Sequence, residues 1–150
     1  MERYRNNRIY LSNEEQAKIK DTRILLAGAG INSVIAECAL RFGFETITIV
    51  DGDKVRIDDL SRQNYTHADK GKYKAECLCK RLLKINPEAK IRFINSEIDE
   101  SNVHELVANL DIAINALDFN SEIPFVFDQV CSEHNIPVLH GKIGACCYNI

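Results

Sequence analysis

Two groups of residues in this chain have the types and spacing for chemistry. The first is Gly28-Ala29-Gly30, with Asp51 twenty-one positions after Gly30 and Asp53 close behind it. The second is Arg62-Gln63 followed by Lys74. A Gly-x-Gly turn lets the backbone approach a phosphate with no Cβ in the way, and a helix opening from it offers free N–H groups and a positive dipole end. Ser33, at the third position of the glycine pattern, is small enough to let helix and strand pack closely, and Asn32 is placed to help cap the helix. An acid at the end of the next strand is where a ribose hydroxyl pair is met in dinucleotide-binding folds. That spacing alone does not choose the nucleotide, because nicotinamide-dinucleotide proteins share it. The choice rests on Asp58-Asp59-Leu60-Ser61-Arg62-Gln63 and Gly71-Lys72-Tyr73-Lys74. Arg offers phosphate oxygens a planar fork and Lys a point charge, which together suit a triphosphate whose α-phosphorus is attacked.

The elements that must hold these residues can be read from the same sequence. Ser12-Asn13-Glu14-Glu15 is a capping-box signature, so residues 1–22 are expected to form an N-terminal helical arm. Apolar runs at Arg23–Ala27, Thr46–Val50, Ile91–Ile94, Asp111–Ala116 and Pro137–His140 read as strands. Helical patterns fall between them, at Val34–Phe42 (ending at Gly43), Ala75–Ile85 (ending at Asn86-Pro87), Val103–Ala108 and Phe125–His134. This alternation predicts an α/β fold: a Rossmann-like, doubly wound, mostly parallel sheet over residues 23–150 with helices on both faces. Right-handed crossovers then bring the strand C-termini to one edge, where ligands bind. Lys142–Ile150 is apolar, stops without a polar tail, and is expected to belong to a domain that continues.

A chain of 150 residues with a formal charge of −3 is expected neither to bind nucleic acid in general nor to enter a membrane. The charged N-terminus is not a signal peptide. Six cysteines without Cys-x-x-Cys spacing form no visible zinc site, and they read as reduced thiols of a cytoplasmic protein. Cys131, Cys146 and Cys147 are expected to be core thiols. His67, His104, His134 and His140 show no metal-ligand spacing, although His140 ends a strand on the ligand edge.

The succession Gly-x-Gly, Asp-x-Asp, Leu-x-Arg-Gln, Gly-x-x-Lys, Asn-Pro and an acid after the fourth strand resembles the ubiquitin-activating-enzyme-like adenylyltransferases. That family includes bacterial enzymes that activate sulfur-carrier proteins in thiamin and molybdopterin synthesis. The resemblance covers nearly the whole chain, from Arg5-Asn6 and Glu14-Glu15-Gln16 to Pro137. It implies an ATP-dependent enzyme that joins AMP to the C-terminal carboxylate of a ubiquitin-like or sulfur-carrier protein. Gly28 and Gly30 would form the phosphate loop, Asp51 would hold the ribose, and Arg62, Gln63 and Lys74 would meet the phosphates. Asp53 and Asp59 would lie in the same nucleotide site, and Asp118 would hold Mg²⁺. Arg5, with Arg8 as the alternate, would reach the triphosphate of the other subunit in a homodimer. The chain departs from the pattern at Asp59 (usually Asn), at Phe119 (usually Asn), and at Ile31 and Ser33 (usually Gly). Two other readings stay open: a non-catalytic module of the same fold that binds nucleotide or partner, and a nicotinamide oxidoreductase domain.

Overall fold

The computed structural model describes residues 2–141. Five strands, β1 (Arg23–Ala27), β2 (Thr46–Val50), β3 (Lys90–Ile94), β4 (Ile112–Asn115) and β5 (Val138–His140), form one sheet in the order β3-β2-β1-β4-β5. Every described pairing between these strands is parallel. The helices are α1 (Asn13–Asp21), α2 (Asn32–Phe42), α3 (Lys74–Ile85), α4 (Val103–Val107) and α5 (Ile123–Glu133). The doubly wound α/β architecture expected from the alternation is therefore the one formed, and the strand order reverses between β1 and β4.

The two-residue period of β1 explains why both faces are covered. Ile24 and Leu26 join Ile47, Ile49, Leu40, Leu78 and Leu82 in a core beneath α2 and α3. Leu25 and Ala27 point the other way, into a core with Val103, Val107, Phe127 and Val130 beneath α4 and α5. A central parallel strand must be apolar on both faces, and four of the five β1 residues are buried. Phe127 is fully buried at the centre of the second core. Phe127→Ala is expected to cost about 3–5 kcal/mol, through lost burial plus the cavity left behind. Urea unfolding followed by circular dichroism would measure it.

The N-terminal arm consists of a 3₁₀ helix, Glu2–Ile9, and α1. The capping box is formed as expected: Glu15 N–H donates to Ser12 Oγ at 3.2 Å, and Ser12 N–H donates to Glu15 Oε2 at 2.8 Å. The arm docks where the strands begin. Tyr4 Oη donates to Glu45 Oε1 at 2.8 Å, Asn7 Nδ2 donates to the Phe42 carbonyl, and Arg3 Nη1 donates to the Ile85 carbonyl. No helix among the described residues is long and apolar enough to cross a membrane. Cys38 is exposed, Cys77, Cys79 and Cys131 are buried, and all four are free thiols. Cys146 and Cys147 lie outside the described residues.

Candidate nucleotide-binding site

The C-terminal ends of β1, β2 and β4 open onto a cavity of about 710 Å³ at the point where the strand order reverses. The turn after β1 forms its floor. Gly28 has φ +85°, donates its N–H to the Val50 carbonyl at 2.9 Å, and lies so close to β4 that a Cβ would stand 3.1 Å from the Ala116 carbonyl oxygen. Only glycine satisfies both the backbone angle and the spacing. At Gly30 the nearest atom to a Cβ would be Gln63 Nε2, at 3.4 Å, an ordinary contact, so the Arg-Gln segment lies directly against the second glycine.

Helix α2 begins at Asn32, two residues earlier than its apolar periodicity indicated. Asn32 does not cap it. Its Nδ2 instead donates backwards to the carbonyls of Ala27, Gly28 and Ile114, clasping the glycine turn to β1 and β4. The cause is geometric: Asn32 lies inside the first turn and is fully buried, so its side chain faces the strand ends. The helix start carries no side-chain cap; the Ser33 and Val34 N–H groups donate to the Gly30 and Ile31 carbonyls at 3.1 and 3.0 Å, and the positive dipole end of the helix faces the cavity. Ser33 does more than allow close packing. Its hydroxyl donates to the Gly30 carbonyl at 2.6 Å and accepts the Asn64 N–H at 2.8 Å, tying the glycine turn to the crossover.

Asp51 lines the cavity, with Oδ2 accepting the Ala29 N–H at 2.6 Å and Oδ1 accepting the Asp53 N–H at 2.7 Å. Burial pushes its carboxyl up, against the pull of those two N–H groups. Each oxygen keeps a second acceptor position. Glu97 packs against Gly52 on the same wall, and desolvation together with the charges of Asp53 and Asp51 pushes it up as well.

Opposite stands the crossover between β2 and α3. Asp59 is buried at 3 % exposure and accepts the Arg56 N–H at 2.8 Å and Gln63 Nε2 at 2.9 Å. Lys74 opens α3, and its Nζ lies 3.4 Å from Asp53 Oδ2 and 3.5 Å from Asp59 Oδ2. Arg62 Nη2 is 3.6 Å from Asp59 Oδ1, and its side chain is about half exposed. Asp118, after β4, faces the same cavity with an exposed carboxylate that has no hydrogen-bond or ionic partner among the described residues.

Nine residues singled out from the sequence therefore line one cavity: Gly28, Gly30, Asp51, Asp53, Asp59, Arg62, Gln63, Lys74 and Asp118. Arg5 does not. It is exposed on the arm, which docks at the opposite edge of the sheet. His140 is held by Asp128, Nε2 to Oδ2 at 3.2 Å, and Asp128 in turn accepts from Asn115 Nδ2 at 2.8 Å, so this histidine clasps β5 to α5.

Sequence reasoning missed Arg56 and Glu97, which line the cavity, and Tyr65, which braces it. The buried Tyr65 hydroxyl donates to the Ala29 carbonyl at 2.6 Å and to the Lys74 carbonyl at 3.3 Å, joining the glycine turn to the start of α3. One signal was available: an aromatic two positions after Arg62-Gln63, in an otherwise polar crossover.

Glu37 on α2 fastens the crossover from outside, accepting from Asn64 Nδ2 at 2.7 Å, Arg81 Nε at 2.8 Å and Arg41 Nε at 3.0 Å. Burial alone would raise its pKa, but these bonds outweigh it and bring the carboxyl down from 4.5 to about 2. A depressed native value stabilises the fold above the ordinary carboxylate range, and that contribution disappears as pH falls through the native value. Glu37→Gln is expected to cost on the order of 2 kcal/mol at neutral pH. Thermal melts of the two proteins should converge as pH falls from 4.5 toward about 2.

A parallel sheet in this order, with a glycine turn feeding a helix and cations on the crossover after β2, defines a Rossmann-like nucleotide-binding domain. The chain belongs to the ThiF family, whose model matches residues 4–147. It is 31 % identical over 133 residues to the SAMP-activating enzyme E1 of Haloferax volcanii, covering 87 % of this chain and 48 % of that protein. It is 31 % identical over 130 residues to the sulfur carrier protein ThiS adenylyltransferase of Bacillus subtilis, covering 84 % of this chain and 38 % of that protein. The chain thus spans less than half the length of either relative. Among solved structures it resembles the tRNA N6-threonylcarbamoyladenosine dehydratase TcdA of E. coli in complex with ATP, with a TM-score of 0.87 and 25 % identity, covering 95 % of this chain and 62 % of that one.

Proposed function

We propose that residues 23–150 are the ATP-binding domain, and residues 1–22 the arm, of an enzyme that adenylates the C-terminal carboxylate of a ubiquitin-like or sulfur-carrier protein. The observation that carries this reading is the convergence of the uncapped start of α2, Arg62, Lys74 and the exposed Asp118 on one cavity. The names of the Haloferax and Bacillus relatives support the same reaction, and the ATP complex of TcdA supports the nucleotide.

The carrier carboxylate is ionised near neutral pH and needs no general base. It attacks the α-phosphorus, a new carboxyl-oxygen-to-phosphorus bond forms, and the bond to the β-phosphate oxygen breaks, releasing pyrophosphate. Arg62 and Lys74 stabilise the charge that gathers on the α-phosphoryl and leaving groups, while Asp51 holds the ribose hydroxyls. Mg²⁺ binds through one or two carboxylates plus phosphate oxygens, and Asp118, whose exposed carboxylate lines the cavity, would hold it in that way; among the described residues no three His, Cys, Asp or Glu side chains form an all-protein cage. When bound, the ion neutralises phosphate charge. Arg5, at the far edge of its own sheet, would serve the site of a second copy in a homodimer. The setting is the cytoplasm, where thiols stay reduced.

The test is carrier-dependent exchange of labelled pyrophosphate into ATP, with Asp118→Ala expected to reduce it strongly. Exchange unaffected by Asp118→Ala would remove that assignment. A second reading draws on the carboxylates already holding Lys74: a module that binds ATP without turning it over. ATP binding with no exchange for any carrier tried would favour it.

A further inference from the structure

Three departures from the family pattern line the cavity, Ile31, Asp59 and Phe119, and Asp59 is the charged one, held by surroundings that give it a purpose. Each of its two carboxylate oxygens faces two donors. Oδ2 faces the Arg56 N–H at 2.8 Å and Lys74 Nζ at 3.5 Å. Oδ1 faces Gln63 Nε2 at 2.9 Å and Arg62 Nη2 at 3.6 Å. Asparagine would fit here only with Gln63 turned so that its Oε1, which has no partner as it stands, accepts from the new NH₂, and the donor set around Lys74 and Arg62 would then be different.

The cost of this arrangement is charge. Lys74 and Arg62 are balanced by Asp59 and Asp53 before any ligand enters. Among the described charged residues lining the cavity, carboxylates outnumber cations: Asp51, Asp53, Asp59, Glu97 and Asp118 against Arg56, Arg62 and Lys74. From these side chains of its own chain a bare triphosphate would meet no net positive charge. The same triphosphate carrying a divalent cation brings its own.

We infer that Asp59 is a positioning residue that sets Lys74, Arg62 and Gln63 and, by its buried charge, makes the site select the metal-bound form of the nucleotide over the metal-free form. The inference rests on the nucleotide reading above. The nearby carboxylate repels metal-free ATP, with about four negative charges, more than metal-bound ATP, with about two. Removing the Asp59 charge must narrow the gap between them even where it also loosens Lys74.

Isothermal titration of the chain with ATP plus MgCl₂, and with ATP plus EDTA, reads this gap as a ratio of dissociation constants. That ratio, metal-free over metal-bound, is expected to fall about tenfold in Asp59→Asn. Asp53→Asn removes an exposed charge that shares Lys74, so it is expected to shift the ratio the same way and serves if Asp59→Asn fails to fold by circular dichroism. A ratio unchanged in the folded variants overturns the inference while leaving the nucleotide reading intact. Failure of the parent chain to bind ATP in either form overturns the nucleotide reading, and this inference with it.

Discussion

Lys74→Ala is expected to lower carrier-dependent ATP–pyrophosphate exchange by about 10²- to 10³-fold, the usual loss when a preorganised charge is removed from where charge develops. The buried position of Lys74 is what makes so large an effect reasonable. Its side chain is 8 % exposed, so its charge acts on a bound phosphate with little screening by water. Its geometry is set in advance by the first turn of α3, by the Tyr65 bond to its carbonyl, and by Asp53 and Asp59 on either side. Alanine also strips Asp59 of its ammonium partner, although the Arg56 and Gln63 N–H groups remain. Breaking a buried pair from one side costs about 3 kcal/mol, so urea unfolding should show a clear loss of stability. The double variant Lys74→Ala, Asp59→Asn separates the two effects. Stability should largely return, because no buried charge is stranded, while exchange should stay low. Exchange by Lys74→Ala within about threefold of the parent would remove Lys74 from the charge-stabilising role.

Gly28→Val is expected to cost about 3 kcal/mol or more and to abolish nucleotide binding. The cost has two parts. A β-branched residue at φ +85° is strained by about 1–3 kcal/mol. A side chain 3.1 Å from the Ala116 carbonyl oxygen adds an overpacking term of about 1–3 kcal/mol. The turn has little freedom to move away, because the Gly28 N–H is bonded to Val50 and its carbonyl accepts Asn32 Nδ2 at 2.8 Å. For a domain of this size, melting should fall by about 6–12 °C. Gly30→Ala is the control. Its Cβ would meet only the movable end of Gln63, so stability should change little and any loss should appear in nucleotide affinity. Differential scanning calorimetry and ATP titration of the pair would read both effects, and equal melting temperatures for Gly28→Val and the parent would show that the turn is not as tightly held as its bonds indicate.

Most of the architecture is legible in the sequence. Strand and helix positions follow from local periodicity, and the capping box at Ser12 and the stop at Gly43 formed as their residue types required. The cavity-facing role of Gly28, Asp51, Arg62, Lys74 and Asp118 was visible too, because parallel crossovers send every strand end to the same edge. Other positions could not be read this way. Asn32 looked like a cap and proved to be a clasp, because which carbonyls an amide reaches depends on β4, more than eighty residues away in sequence. Tyr65 drew no reading at all from the sequence, because only the fold brings its hydroxyl to Ala29 and Lys74.

The glycine turn, the acid after β2 and the basic crossover were determined by the sequence itself, since residue type and spacing are local properties that decide what a segment can bind. The tertiary structure alone decided that Asp59 lies beneath Lys74, Arg62 and Gln63. A charge fifteen positions from Lys74 becomes its partner only when the crossover folds back on the cavity and shuts out the water that would otherwise screen both.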